Sequence, residues 1–404
     1  MRVRLSAILF GWLVLSAHAA GGQAPDAGPG LTAYATTHYH LHTNLSRREA
    51  VPYGRHLDAV YEQYAERFAR YGDRPAGRMD VYLFRTRAQY LHFLETNDVA
   101  AHGSGGVFFV THDLRGLATW TDGHPRRQTF RTLQHEGFHQ FAWHHFGPQL
   151  PHWVNEGLAQ YFEDAVPTAT GLSLGLADAG RVERVRDAIT RRRTLSFAAV
   201  ANSGRAEWLA ALRYDPDHAG LLYAQSWSLV YFLIHGEGGR HRPAFEDYLR
   251  RLAEGETDRD AFTAAFGGVR IATLETRWRA YAHAQTIDEA VAAAEELVLL
   301  GEALLLLHRR DEPLPRHLNE LRQRMTALGV AVTRRVDGAA THVPADDELF
   351  TYRRPGGEAS EYLLLEPAAA GLPPRLAAPG LSPEPTLIWQ AGPDAEPRYD
   401  VTYR

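Results

Sequence analysis

Apolar and polar positions follow two different spacings along the first part of the chain. From Ala50 to Tyr71 apolar and aromatic residues recur every three or four positions, which predicts an amphipathic helix. Shorter stretches are rich in apolar residues, partly alternate with polar ones and predict strands. The predicted strands are Tyr34–Thr43, Met79–Phe84, Val107–Val110 and Leu117–Thr121.

The helical spacing returns from Gln128 to Phe146, and Gly147-Pro148 is expected to end that helix. A short second helix should follow Pro151, and more helices continue to about residue 330. Beyond about residue 335 Pro and Gly become frequent and the strand-like pieces are short. The pattern therefore predicts an α+β fold, in which a mixed sheet packs on the 128–146 helix. A mostly helical half and a small β-rich C-terminal appendage follow.

The N-terminus has the pattern of a secretory signal. Met1–Arg4 carries positive charge, Leu5–Ser16 is apolar but too short to span a membrane, and Ala17–Ala19 offers small residues for cleavage. We therefore expect a secreted or periplasmic protein without a stable membrane span after cleavage. The predicted divisions are a signal peptide (1–19), a linker (20–30), a main domain (31–285), a helical hairpin (286–330) and a β-rich or extended appendage (331–404).

Composition narrows the chemistry that the chain can carry. Apolar residues make up 45% and charged residues 23% of its 404 positions, as in ordinary globular proteins. The net charge of -5 gives no reason to expect a nucleic-acid partner. No cysteine is present, so a metal ion would have to be bound by His and carboxylate side chains.

The 128–146 helix contains the pattern HExxH, formed by His135, Glu136 and His139. Positions four apart lie on one helix face, about 5–6 Å from each other, so two imidazoles there can share one metal ion. Glu136 could then take a proton from a water molecule at the metal. With 21 histidines in the chain, a His-rich helix without metal is the alternative.

A second segment, from Pro151 to Glu163, strengthens the metal hypothesis because Glu156 offers a third donor from another helix. A catalytic zinc ion has three protein ligands and an open fourth position. The break at Gly147-Pro148 leaves room for the chain to turn, so that the second helix can pack across the first.

The stretches HEGFHQ and WVNEGLAQYFE resemble the gluzincin metallopeptidases, most closely the bacterial peptidase-MA-like group. They are also similar to the WLNEGxAxY region of the aminopeptidase N family. This resemblance covers about residues 35–285 and implies a zincin-like catalytic domain that uses Zn²⁺ to hydrolyse a peptide or protein substrate. It implies that His135, His139 and Glu156 are ligands and that Glu136 is the general base.

Further residues fit the resemblance less closely. The helix around Tyr223 resembles the one that carries the transition-state tyrosine of the aminopeptidase N family, although Tyr223 could equally be a packed aromatic residue. Glu163 could orient a ligand imidazole, or it could be a surface carboxylate. Gln160 stands where thermolysin-like enzymes carry an Asp, which puts that contact in doubt.

The predicted strand at Gly105–Val110 falls where the aminopeptidases bind substrate, but it lacks the Glu that grips a free α-amine. This difference favours endopeptidase over aminopeptidase action. Two alternatives stay open. His145 has the third-histidine spacing of metzincins, although Ala142 replaces their glycine. The chain could also be a secreted binding or scaffold protein on a metallopeptidase fold, with little turnover.

Overall fold

The computed structural model describes nine stretches of the chain. They are residues 13–14, 30–68, 77–99, 105–123, 126–168, 171–267, 269–336, 339–391 and 396–404. The predicted signal peptide and linker lie outside the described residues, apart from positions 13, 14 and 30.

The chain divides into two compact units. The larger unit contains Ile8–Ala165 and Arg181–Gln285, and the smaller contains Met1–Ala7, Val166–Gly180 and Thr286–Arg404. The sequence predicted a main domain over residues 31–285, whereas the structure groups residues 166–180 with the C-terminal part of the chain. None of the described helices is both long and apolar enough to cross a membrane.

The larger unit is built on a mixed sheet whose strands run in the order β1-β5-β6-β4-β3-β2. These strands are β1 Leu13–Val14, β2 Thr32–Ala35, β3 Tyr39–Thr43, β4 Met79–Phe84, β5 Gly106–Val110 and β6 Arg115–Trp120. Strands β3, β4 and β6 are parallel to one another, while β2 and β5 run antiparallel to their neighbours β3 and β6. The two residues of β1 pair in parallel with β5.

The prediction of one strand from Tyr34 to Thr43 is wrong, because β2 and β3 form an antiparallel hairpin there. Asp58 stabilises the turn between them: its carboxylate accepts from the Thr36 hydroxyl at 2.8 Å and from the Thr37 and His38 amides at 3.0 and 2.9 Å. The alternation of side chains continues through the turn, so the pattern does not reveal it. The other predicted strands before residue 125 are present, within two residues at each end.

Eleven helices accompany this sheet in the described sequence. They are α1 Arg47–Phe68, α2 Arg87–Thr96, α3 Arg126–Phe146, α4 His152–Glu163, α5 Ala179–Thr190, α6 Phe197–Asn202, α7 Arg205–Tyr214, α8 Pro216–Gly239, α9 Arg242–Ala253, α10 Asp258–Phe266 and α11 Ile271–Ala284. The predicted helix over 128–146 is α3, which packs against β5 and β6. It ends at Phe146, and the φ of +59° at the following Gly147 suits a residue without a side chain. The α+β class is therefore confirmed.

Aromatic side chains hold α3 between α1 and α4. Tyr64 and Phe68 from α1 meet Phe138 and Phe141 from α3, and Phe162 from α4 stacks on Phe138 with a centroid distance of 5.3 Å. These five rings are almost fully buried. Such a close-packed cluster fixes the relative positions of the helices, because each ring can move only if its neighbours also move.

In the described residues, the smaller unit consists of three helices and several short antiparallel pairings. Its elements are β7 Val166–Thr168, β8 Gly171–Ser173, α12 Glu289–Arg309, α13 Leu318–Ala327, β9 Val332–Val336, β10 Ala339–Val343, α14 Asp347–Phe350, β11 Thr351–Arg353, β12 Ala359–Glu361, β13 Leu363–Leu365, β14 Arg375–Ala377, β15 Pro385–Ala391 and β16 Pro397–Tyr403. Helix α12 packs on β15 and β16. Val166 and Leu176 belong to the same apolar core.

Helix α4 crosses α8 at Gly157, where a side chain has no room. A Cβ atom at Gly157 would lie 2.6 Å from the carbonyl oxygen of Ser226 and 2.6 Å from Cγ2 of Val230. The backbone at Ser226 cannot retreat without moving α8. We expect Gly157→Ala to lower the free energy of unfolding by about 1–3 kcal/mol, the typical cost of overpacking.

Urea denaturation would measure this loss. Gly77→Ala is the matched control, because nothing lies within 4 Å of a Cβ at that exposed position. Equal stability changes in the two variants would show that the α4–α8 contact is looser than described.

Candidate metal centre

The two histidines of the HExxH pattern lie on one face of α3. Both side chains are buried, and their ring centroids are 4.7 Å apart with the rings nearly perpendicular. This is the arrangement expected for positions four apart on a helix.

Glu156 reaches both imidazoles from α4. Its Oε2 atom lies 3.4 Å from Nε2 of His135, and its Oε1 atom lies 3.6 Å from Nε2 of His139. Donors bonded to one tetrahedral zinc ion at its usual bond lengths lie roughly 3.3–3.6 Å apart. One donor atom from each of His135, His139 and Glu156 can be chosen so that all three lie within 4.8 Å of one another. In the part of the chain that the structure describes, no other group of three His or carboxylate side chains meets this criterion.

Polar partners orient both rings. Glu163 accepts a hydrogen bond from Nδ1 of His135 at 3.0 Å, and the Asn155 side-chain oxygen accepts from Nδ1 of His139 at 3.2 Å. Because these partners accept hydrogen bonds from the Nδ1–H groups, the Nε2 atom of each neutral ring carries a lone pair that faces the cluster. Of the two predictions for Glu163, the structure favours the residue that orients a ligand imidazole, because Glu163 is buried and accepts a hydrogen bond from the His135 ring. The Gln160 side chain donates to the backbone carbonyl of Tyr223 at 3.0 Å and accepts from Nε of Arg181 at 2.9 Å.

Glu136 lies between α3 and β5. Its Oε2 atom accepts a hydrogen bond of 2.7 Å from the backbone N–H of Phe108 in β5. Its Oε1 atom is buried and has no hydrogen-bond partner among the described residues. Gly106 allows this approach, because a Cβ there would lie 2.5 Å from Cγ2 of Thr132 and 3.3 Å from Cγ of Glu136. One carboxylate oxygen is therefore anchored and the other is available.

Burial and the neighbouring carboxylates shift the pKa values in this cluster. Burial is the largest effect on Glu136 and, with Glu156 nearby, raises its pKa to about 8. Burial lowers the pKa of His139 to about 3. At His135 burial acts in the same direction, but Glu156 and Glu163 outweigh it and raise the pKa to about 10. The carboxylates thus draw positive charge to His135, and a divalent cation among the three donors would take the place of the proton there.

Tyr223 comes from α8, which packs on α4. The backbone carbonyl of Tyr223 accepts a hydrogen bond from the Gln160 side chain at 3.0 Å, and its ring meets Trp208 edge-on. Burial raises the pKa of the Tyr223 phenol well above its usual value, and the nearby charges of Glu156 and Glu136 add to this. Tyr223 is therefore protonated and lies within electrostatic range of the cluster.

His152 also lies beside the cluster, a place that the sequence analysis missed. Its Nε2 atom is 3.9 Å from Oε1 of Glu156, and its ring packs edge-on against Trp208. The signal that could have found it is its position four residues before Glu156 on the same helix face. By contrast, the His145 ring packs on Phe141, and His145 is not part of the three-donor group, which disfavours the metzincin alternative.

In this α+β fold, two histidines and one glutamate converge on one point and could hold a metal ion, as in a metallopeptidase-like protein. Residues 70–284, more than half of the chain, match the sequence profile of the Peptidase MA superfamily. The chain therefore belongs to that superfamily, whose members are typically metal-dependent. No curated protein matches the chain.

Proposed function

We propose that the chain is a secreted zinc metallopeptidase of the gluzincin type that hydrolyses internal peptide bonds. The observation that supports this proposal most strongly is that two buried glutamates have different surroundings. Glu156 faces both imidazoles at 3.4 and 3.6 Å, while Glu136 is anchored at one oxygen and available at the other.

Zinc fits the donor set better than other common ions. Two imidazole nitrogens and one carboxylate make a catalytic zinc site, whereas magnesium and calcium prefer oxygen ligands throughout. When bound there, zinc would supply Lewis acidity that makes a water molecule more acidic and polarises the scissile carbonyl. His135, His139 and Glu156 would hold it, with Glu163 and Asn155 orienting the rings.

Glu136 acts as the general base in this proposal. The Phe108 amide holds Oε2 in place, so that Oε1 can accept the proton of the attacking water. The same oxygen can later return the proton to the leaving amine, because the side chain stays in its position between the two steps. The Tyr223 phenol is protonated and near both glutamates, and it would donate a hydrogen bond to the developing oxyanion.

The composition of β5 supports endopeptidase action. The residues from Gly105 to Val110 include no acidic side chain that could bind a free α-amine. A free N-terminus on the substrate is therefore not required in this proposal. The N-terminal pattern from Met1 to Ala19 supports export from the cytoplasm.

We expect purified protein to bind close to one zinc ion per chain, because the described residues provide one group of three convergent donors. Elemental analysis after zinc reconstitution and removal of free metal would measure this ratio. Glu156→Ala should bind much less zinc, whereas Glu66→Ala, at an exposed position on α1, should match the wild type. Equal zinc in the Glu156 variant would rule out the site.

Glu136→Gln should keep its zinc but lose peptide hydrolysis by about 10²–10⁴-fold, because an amide cannot accept the proton from water. Tyr223→Phe should lose about 10²–10³-fold, the usual effect of removing one oxyanion donor. Rates for zinc-loaded variants would be compared with a Glu66→Gln control. A Glu136→Gln variant with the wild-type rate would contradict the mechanism. Zinc binding without any turnover in the wild type would instead favour a binding protein.

Substrates without a free α-amine should be cleaved as well as unblocked ones, since Gly105–Val110 carries no acidic residue. Mass spectrometry of matched peptide sets, with and without N-terminal acetylation, would test this. Release of only N-terminal residues from unblocked peptides would identify an aminopeptidase and contradict the assignment.

A further inference from the structure

Glu163 lies between the metal-ligand histidine and two arginines. Its Oε2 atom is 3.0 Å from Nδ1 of His135 and 3.0 Å from Nη2 of Arg181. Its Oε1 atom accepts from Nη2 and Nε of Arg131 at 3.2 and 3.3 Å. The Glu163 side chain is only 5% exposed, so these contacts hold it in one position.

Asp164 closes the arrangement. Its Oδ1 atom accepts from Arg131 at 3.0 Å, and its Oδ2 atom accepts from Nη1 of Arg181. Two arginines and two carboxylates thus alternate in a closed ring, which we call the arginine–carboxylate ring. Arg181 also donates from Nε to the Gln160 side-chain oxygen at 2.9 Å. All three of its guanidinium nitrogens have acceptors, and a Lys could not reproduce this fork.

We propose that Arg181, assisted by Arg131, is a positioning residue of the metal centre. It fixes the Glu163 carboxylate, which in turn fixes the orientation of the His135 ring and the direction of its Nε2 lone pair. This inference rests on the proposed metal site. Residues that orient ligand side chains typically change metal affinity by about 10–100-fold when they are removed.

The electrostatics support this role. Arg131 and Arg181 place positive charge beside both oxygens of the buried Glu163 carboxylate, which stabilises its ionised form. Glu163 therefore stays an acceptor for the Nδ1 proton of His135. The two arginines compensate Glu163 and Asp164, which leaves the negative charge of Glu156 to the metal ion.

Arg181 lies where the chain re-enters the larger unit, which supports its role in positioning Glu163. Glu163 and Asp164 end α4 just before Val166–Gly180, the segment that belongs to the smaller unit, and Arg181 directly follows that segment. The arginine–carboxylate ring therefore joins the two points at which the chain leaves and re-enters the larger unit. The arginine–carboxylate ring can therefore hold the C-terminal end of α4 in place, although Val166 and Leu176, which lie between Asp164 and Arg181 in the sequence, belong to the apolar core of the smaller unit.

The experiment measures the zinc dissociation constant of the full-length protein by competition with a chromophoric chelator. Arg181→Met keeps much of the side-chain bulk and removes the charge, so zinc affinity should fall about 10–100-fold. Arg131→Met should show a smaller loss, and Arg181→Lys should lie between Arg181→Met and the wild type. Arg191→Met is the control, because Arg191 is 67% exposed and pairs only with Asp187 among the contacts observed. An unchanged affinity in the Arg181→Met variant would overturn the proposal.

A double-mutant cycle separates positioning from a general structural role. If Arg181 acts through Glu163, Arg181→Met should add little to the loss already caused by Glu163→Gln. Fully additive losses would overturn the proposal. If Arg181→Met fails to fold, the same cycle with Arg131→Met decides, because Arg131 is more exposed. The visible absorption of the Co²⁺-substituted protein should change in Arg181→Met and stay constant in Arg191→Met.

These outcomes are distinct from a failure of the proposed function. A wild-type protein that binds no zinc would contradict the metal site itself. A wild-type protein that binds zinc but hydrolyses no peptide would contradict the peptidase assignment and leave the positioning role of Arg181 intact. Wild-type binding together with an unaffected Arg181→Met variant would contradict the positioning role alone.

Discussion

The structure depends on how it compensates three carboxylates that are buried where α3 and α4 meet. An ionised carboxylate without partners is costly inside a protein. Glu163 has the two arginines and the His135 ring, and Glu136 has the Phe108 amide. Glu156 faces imidazoles alone, at 3.4 and 3.6 Å. A bound cation would compensate the charge of Glu156. The different partners of the two residues therefore distinguish Glu156, the proposed ligand, from Glu136, the proposed base.

Close packing keeps these groups in their positions. Gly157 lets α4 approach α8, and Gly106 lets β5 approach α3, so that a backbone amide reaches Glu136. The aromatic rings between α1, α3 and α4 prevent these helices from sliding. Backbone positions and rigid rings therefore set where the helices and β5 lie around the cluster, as a preorganised site requires.

The central part of the site could be predicted from the sequence because it depends on local helix geometry. His135 and His139 are one turn apart on a helix, and the break at Gly147-Pro148 brings Glu156 back from a second helix. The residues around it could not be predicted in the same way. Phe108 reaches Glu136 through its backbone, which has no side-chain signature, and Arg131 and Arg181 meet Glu163 only after the chain has folded. The hairpin at β2 and β3 was missed because Asp58, a distant residue, stabilises its turn.

We propose that His135, His139 and Glu156 together bind one metal ion. Anomalous diffraction from crystals of the zinc-reconstituted protein, recorded on both sides of the zinc absorption edge, tests it most directly. If these three residues bind zinc, we expect one strong difference peak within bonding distance, about 2.0–2.2 Å, of the Nε2 atoms of His135 and His139 and of a carboxylate oxygen of Glu156. A fully loaded protein whose peak lies at other residues, with no peak at these three, would contradict it.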